Sequence, residues 1–185
     1  MSLFFAVLAL LALAGVAAGV VALVTGRGRD DLRAVALPLA FVVALVGTAG
    51  SLYFSEVAHF VPCQLCWFQR ICLYPLTIVL GIAAWRRDTN IRPYVIAPAA
   101  IGLVIAAYHS WIQAFPPAGG SSFCTAAAPC TERYVWQFGF VSLPFMALCA
   151  FAAVITAMAL AGPDRSPSRA VVATDRRARV EELAR

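Results

Sequence analysis

The chain has 185 residues, of which 62% are hydrophobic and only 12% are charged. A soluble domain averages about half apolar and about a quarter charged residues. Here the apolar excess lies in long blocks with few charges, which predicts an integral membrane protein built as one helical bundle. The formal net charge is +5 and every basic residue is Arg. Because these arginines cluster between apolar blocks, they indicate membrane topology and argue against nucleic-acid binding.

Five blocks are long enough to cross about 30 Å of hydrocarbon as helices. The first has no positively charged segment before it and exceeds the apolar core of a signal peptide, so we interpret it as a retained helix. The predicted fold class is therefore all-α, with residues 1–162 as one membrane domain and 163–185 as a polar cytoplasmic tail. The five predicted helices cover about residues 2–24, 34–54, 66–85, 94–115 and 135–161.

The arginines also predict the orientation of the helices. Clusters follow the first and third blocks and fill the tail, whereas Arg70 and Arg133 lie on the opposite side. Because cytoplasmic loops carry the excess of Arg, we expect an extracytoplasmic N-terminus and a cytoplasmic C-terminus in a cell membrane. The loops of about residues 55–65 and 116–134 then face outward.

The most informative motif opens the third block. Cys63 and Cys66 are separated by two residues, and Arg70 follows one helical turn later. Such a pair can close an exchangeable disulfide or bind a metal, and a nearby positive charge favours the reactive thiolate.

A second pair, Cys124 and Cys130, lies in the second outward loop. All four loop thiols are therefore on the side of the membrane where disulfides form and persist. The prolines and glycines of residues 115–124 predict a mobile, irregular segment. A mobile disulfide can meet both a soluble protein and a fixed second pair, as a thiol–disulfide relay requires.

Three other interpretations of the cysteines are weaker. A zinc site would need four converging reduced sulfurs, which the extracytoplasmic side disfavours, and two structural staples would gain little from so short a loop as that of Cys63 and Cys66. A relay that exports reductant would need cysteines accessible from both sides. Cys72 and Cys149 lie within predicted helices and are expected to be small apolar packing residues.

The electron acceptor is predicted to be a membrane quinone. Trp67 stands where a haem attachment motif would need His, and no glycine-rich flavin or nicotinamide fingerprint is present. A quinone ring needs an apolar slot and a donor to its oxygens, and Arg70 is a candidate for that donor. The aromatic residues that could line the slot are Trp67, Phe68, Tyr108 and Trp111.

His109 is a candidate second donor, with Gln113 one turn beyond it. The alternative for His109 is a hydrogen-bonded packing residue, but ionisable residues within membrane helices are rare and usually functional. His59, in the first outward loop, is expected to be solvated.

The motifs Cys63-x-Leu65-Cys66-Trp67-x-Gln69-Arg70 and Tyr108-His109-x-x-x-Gln113 resemble those of the disulfide-bond formation protein B (DsbB) family, in its short BdbC-like branch. The resemblance covers about residues 35–160. The order of the cysteine pairs distinguishes this chain from the vitamin K epoxide reductase family, in which the membrane cysteine pair follows the loop cysteines. The resemblance to the DsbB family has further implications. It implies a four-helix core with one extra N-terminal helix, a quinone (ubiquinone or menaquinone) and a DsbA-like thioredoxin-fold partner.

The resemblance also implies a role for each cysteine. Cys66 resembles the cysteine that reacts with the quinone, and Cys63 resembles its partner that exchanges with the loop pair. Cys124 resembles the loop cysteine attacked by the DsbA-like protein, and Cys130 the one that returns to Cys63. Arg70 resembles the quinone-facing arginine. The five residues between Cys124 and Cys130 form a shorter gap than in the best-known branch of the family.

Overall fold

The computed structural model describes residues 1–116, 124 and 128–162. Over these residues the regular structure is helical, apart from isolated bridge residues, which include the pair Gln137 and Val141. All five α-helices are long and apolar enough to cross a membrane, which confirms the predicted fold class. The helices are α1 (Ser2–Thr25), α2 (Arg29–Leu52), α3 (Gln64–Arg86), α4 (Arg92–Ala114) and α5 (Leu143–Ala161).

Helices α2, α3, α4 and α5 form a ring in which each packs on the next, and α5 closes the ring against α2. Helix α1 stands outside this ring. It packs along α5 and meets α2 at few points. The five helices are therefore a four-helix bundle with one added helix.

The bundle core is made of small and branched apolar side chains, with Phe151, Leu80 and Met158 among the largest that are fully buried. Gly102 of α4 faces the ring of Phe151, and a Cβ at this position would collide with that ring. Small residues let membrane helices approach closely, so this glycine sets the contact between α4 and α5.

Polar contacts join the helices at two other levels. The hydroxyls of Thr48 in α2 and Thr77 in α3 lie 2.8 Å apart. Near the C-terminal end of α5, the Arg92 guanidinium donates to the carbonyl of Met158 at 2.7 Å. That carbonyl belongs to the last turn of α5, where backbone acceptors lack helical partners.

Helix α5 begins at Leu143, later than the predicted start near residue 135. Phe138 and Gly139 both have positive φ angles, and the backbone groups of Gln137 and Val141 bond to each other in both directions. This tight turn interrupts the apolar block. Pro144 consequently lies in the first turn of α5 and not in the helix interior, and its missing N–H has no helical partner to lose there.

Helix α2 begins at Arg29, earlier than the predicted residue 34, with Asp30 and Asp31 in its first turn. Negative side chains stabilise the positive end of a helix dipole. At its other end α2 continues as a π-helix over Tyr53–Val57.

Cys149 is fully buried and Cys72 packs against the same apolar core, as expected for packing residues. His59 is exposed, as predicted for that loop residue. The predicted mobile segment lies largely outside the described residues, at 117–123, and so does the predicted tail over 163–185.

Candidate functional site

The four loop cysteines meet at one end of the bundle, here called the cysteine end. The start of α3 brings Cys63 and Cys66, the end of α4 brings His109, and the segment before α5 brings Cys130. Cys63, Leu65, Ile112 and Cys130 are buried together, with Cys66 and Cys124 packed against them. Two cysteine pairs that are far apart in sequence therefore form one cluster.

Cys63 is the N-cap of α3. Its Sγ accepts the backbone N–H of Cys66 at 3.4 Å, and the two sulfur atoms lie 3.0 Å apart as free thiols. A side chain at this position takes up one of the unpaired N–H groups that every helix start presents. The cysteine spacing is thus also a capping device that holds both sulfurs at the positive end of α3.

His109 links the two pairs. Its ring is 1% exposed, with Nε2 at 3.0 Å from the carbonyl oxygen of Cys130 and 3.7 Å from Cys63 Sγ. A carbonyl oxygen can only accept, so Nε2 carries the hydrogen, and Nδ1 accepts from the Gln69 amide at 3.1 Å. Gln69 thereby fixes the tautomer that directs an N–H towards Cys63 and Cys130.

These contacts lower the pKa of the Cys63 thiol well below its usual range. The largest cause is the hydrogen bond from the Cys66 side chain, and the next lowering cause is the hydrogen bond from His109. Burial opposes the shift. The sequence placed the reactive thiolate at Cys66 beside Arg70, whereas in this dithiol state the surroundings stabilise a thiolate on Cys63.

The second pair is closed as a disulfide between Cys124 and Cys130. Cys130 is 2% exposed, and Cys124 is only half-buried. Because thiol–disulfide exchange requires access to the attacked sulfur, Cys124 is the more approachable sulfur of this bond from outside.

Reciprocal hydrogen bonds fix the segment that carries Cys130. The Gln113 amide donates to the Glu132 carbonyl at 2.8 Å, and the Arg133 guanidinium donates to the Gln113 carbonyl through Nε at 2.9 Å and also through Nη2. Arg133 also lies 4.1 Å from the centre of the Trp136 ring. Gln113, near the end of α4, is thereby bonded to the segment of Cys130 through both its side chain and its backbone carbonyl.

Arg70 is held by Ser51 of α2. Its Nε donates to Ser51 Oγ at 3.0 Å and its Nη2 to the Ser51 carbonyl at 3.1 Å, while Tyr74 donates to the same Oγ at 3.1 Å. The guanidinium also lies 5.3 Å from the centre of the Trp67 ring. Ser51 therefore orients the charge that the sequence associated with the thiols.

A cavity of about 530 Å³ opens at this cluster, and Cys63, Cys66, Arg70, His109 and Gln113 all line it. Gln113 is 4% exposed, and its Oε1 has no hydrogen-bond partner within the described part of the chain. A buried acceptor without a donor is costly, so this wall fits a small polar group that can donate to it.

The four aromatic residues predicted to line a quinone slot do not line this cavity. Each exposes more than a third of its surface on the outside of the bundle, where rings at helix ends commonly meet the membrane interface. The quinone contact of Trp67 stays a prediction; the structure puts this ring beside Arg70. These residues are Trp67, Phe68, Tyr108 and Trp111.

Cys63, Cys66 and His109 offer ligand atoms that all lie within 4.8 Å of one another. This is a possible three-ligand metal set. The four-sulfur zinc site considered from the sequence is a different arrangement. Its four sulfurs cannot all bind a metal in this state, because Cys124 and Cys130 are bonded to each other.

Sequence reasoning did not assign Ser51 or Gln69 to the site. Both are polar side chains inside otherwise apolar blocks, and such residues usually mark function or helix contacts in membrane proteins. Gln69 was within the recognised motif but had no role, because its partner is 40 residues away in sequence.

Comparisons with known proteins identify relatives of this chain. The family model for Disulfide bond formation protein DsbB matches residues 32–161, so α1 lies outside the match. Disulfide bond formation protein C of Bacillus subtilis (strain 168) is 44% identical over 134 residues, covering 72% of this chain and 97% of that protein. A probable disulfide formation protein of Coxiella burnetii (strain Dugway 5J108-111) is 39% identical over 64% of this chain and 82% of its own length. No solved structure matches the chain. The chain belongs to the DsbB family of disulfide bond formation proteins.

Proposed function

We propose that this protein is a membrane thiol:quinone oxidoreductase. It reoxidises a DsbA-like thioredoxin-fold protein by disulfide exchange and passes the electrons to a membrane quinone, which supports disulfide bond formation outside the cytoplasm. The carrying observation is that one disulfide and one dithiol are packed together at the mouth of a cavity. The names of its relatives, disulfide formation proteins, support the same role.

The exchange steps balance within the four cysteines. Two thiols of the partner reduce the Cys124–Cys130 disulfide, with Cys124 as the attacked sulfur, and the partner leaves as a disulfide. The Cys130 thiolate then attacks Cys63 in the Cys63–Cys66 disulfide and displaces Cys66. Finally Cys124 attacks Cys130, which closes the loop disulfide and displaces Cys63.

The described state corresponds to the end of that sequence, with the loop pair oxidised and the inner pair reduced. Cys63 is the leaving sulfur in the last step, and a thiol of low pKa leaves faster. The His109 N–H and the Cys66 thiol both stabilise the departing thiolate. His109 also bonds the carbonyl of Cys130, which supports a role in keeping the exchanging cysteines in register.

A bound quinone, ubiquinone or menaquinone, supplies the acceptor for the two electrons and two protons of the inner dithiol. The chain offers Arg70 as a fixed positive charge and Gln113 Oε1 as a buried acceptor on the wall of the cavity. Ser51 holds the guanidinium in place. This donor and acceptor set suits a ring whose oxygens gain charge and hydrogen on reduction.

The arginine distribution supports an orientation with the cysteine end outside the cytoplasm. In that orientation the loop disulfide faces the compartment where disulfides persist. The protein would then lie in the cell membrane as a five-span protein with a cytoplasmic C-terminus.

Replacing Cys66 by Ser tests the function. We expect Cys66→Ser to abolish quinone reduction by a reduced DsbA-like protein, because the inner disulfide cannot form. Cys72→Ser is the matched control, since Cys72 packs in the core away from the cluster. The assay follows quinone absorbance with purified protein in detergent. Undiminished turnover by Cys66→Ser would refute the relay.

A further inference from the structure

The cavity at the cysteine end continues as a groove along the bundle. Helix α1 packs on α5 but meets α2 at few points, so a gap runs between α1 and α2 with α5 as its floor. Its lining descends α5 from Met146 past Ala153 to Leu160. At the rise of an α-helix this is a length of about 20 Å.

The two ends of the groove differ in chemistry. Polar and reactive groups converge at the cysteine end, whereas the remainder is lined mostly by Ala, Gly, Val and Leu residues of α1, α2 and α5. This pattern matches an amphiphile with a compact polar head and a long apolar tail. The polar lining residues of the cysteine end include Ser51, Cys66, Gln69, Arg70 and His109.

Helix α1 is fixed in place as one wall. The Gln137 amide donates to Ser2 Oγ at 3.1 Å, and the centres of the Phe5 and Phe54 rings lie 5.4 Å apart. Towards the other end, Gly19 lies close to Thr156 of α5, with no room for a Cβ. Anchors at both ends make this wall a constant part of the groove.

We propose that α1 is the third wall of a binding groove for the polyprenyl tail of the quinone, and that it makes this protein select long-tailed quinones. The inference rests on the proposed function, because the head of the same molecule must reach Cys66. Helix α1 lies outside the family match, so this wall is an addition to the shared four-helix core. The continuity of the groove with the dithiol favours a quinone tail over a lipid acyl chain, which has no reason to end at the thiols.

Gly15 provides a sharp test. It lines the groove, and a Cβ built on it would meet nothing within 4 Å. Gly15→Leu therefore places its Cβ in open space and extends an apolar side chain from the groove wall. Ala17→Leu is the matched control, because Ala17 is exposed on the same helix and does not line the groove. Gly15→Ala gives a smaller intrusion at the same position.

The experiment compares a benzoquinone without a side chain with the same ring carrying a long polyprenyl tail. Dithiothreitol is the reductant, and the rate of Cys66→Ser is subtracted as background. We expect Gly15→Leu to raise the ratio of KM for the tailed quinone to KM for the tailless quinone about tenfold, since buried methylene contacts are lost. Gly15→Ala should raise it less, and Ala17→Leu should leave it unchanged.

An unchanged ratio in an active Gly15→Leu protein would overturn the proposal, as would an equal rise in Ala17→Leu. A rise in KM for both quinones alike would also overturn it, because the substitution would then act on the ring site. Failure of the unsubstituted protein to reduce either quinone would instead refute the proposed function.

Discussion

The hydrogen bonds of His109 define the chemistry of the cysteine end at the scale of single residues. The Gln69 amide faces Nδ1 of the imidazole, so the opposite N–H faces Cys63 and the Cys130 carbonyl. A histidine in a membrane helix could have been a packing residue. Its position between two cysteine pairs supports the proposed part of His109 in thiol chemistry.

The pH dependence of Cys63 alkylation tests these contacts. Because its pKa is lowered, Cys63 stays a thiolate at neutral pH, so its reaction with iodoacetamide should slow only in acid. Cys66→Ala removes the largest cause of the shift, so the pKa should rise towards its ordinary value of 9.0 and the reaction should already be slow at neutral pH. Mass spectrometry of the Cys63 peptide gives the rates. Identical profiles for the two proteins would contradict the assignment.

The Ser51 contact with Arg70 makes a second prediction at this scale. Ser51→Ala removes the Oγ that accepts from Arg70 and Tyr74, and it leaves the guanidinium bonded to the carbonyl alone. We expect KM for the quinone to rise about fivefold with little change in kcat, the effect of losing about one hydrogen bond.

Ser110→Ala is the control for that substitution, because the Ser110 hydroxyl bonds only within its own helix, to the Ala106 carbonyl at 2.8 Å, among the bonds described. Equal KM values for Ser51→Ala and the unsubstituted protein would show that Arg70 is oriented without the hydroxyl.

At the scale of helices, close packing between α4 and α5 depends on Gly102. A methyl group there would push against the Phe151 ring, which is itself fully buried. We expect Gly102→Ala to destabilise the protein by about 1–3 kcal/mol, the usual cost of overpacking a core. Thermal unfolding in detergent measures this.

Gly15→Ala is the control for Gly102→Ala. Its Cβ would point into open space, so the better helix propensity of Ala should stabilise α1 by about 0.5–1 kcal/mol. A stable Gly102→Ala protein would mean that α4 and α5 can separate without loss.

Helix boundaries were predicted with unequal accuracy. Helix α3 begins within two residues of the expected start, whereas α2 begins at Arg29 instead of about residue 34, although charged residues mark its first turn. Helix α5 was placed too early, because hydrophobicity alone does not distinguish a membrane helix from an apolar turn. Phe138 and Gly139 with positive φ make that turn.

At the scale of the whole molecule, the arginine distribution predicts which end of the bundle faces outward. A cysteine introduced as His59→Cys, in an exposed loop at the cysteine end, should react with a membrane-impermeant thiol reagent in intact cells. Arg27→Cys, exposed between α1 and α2, should react only after the membrane is opened. Labelling of Arg27→Cys in intact cells would show that the orientation is the opposite of the predicted one.

Hydrophobic length and cysteine spacing are local properties of the chain, so the membrane class, the five spans, the two cysteine pairs and the family could be predicted from the amino-acid sequence. The contacts between distant groups follow from the fold. The folded structure brings His109 to Cys63 and Cys130 and bonds Arg70 to Ser51. It also places the aromatic rings outside the cavity and packs α1 beside α5. These contacts join residues far apart in the chain, and side-chain direction around a helix, which decides them, follows from packing and not from composition.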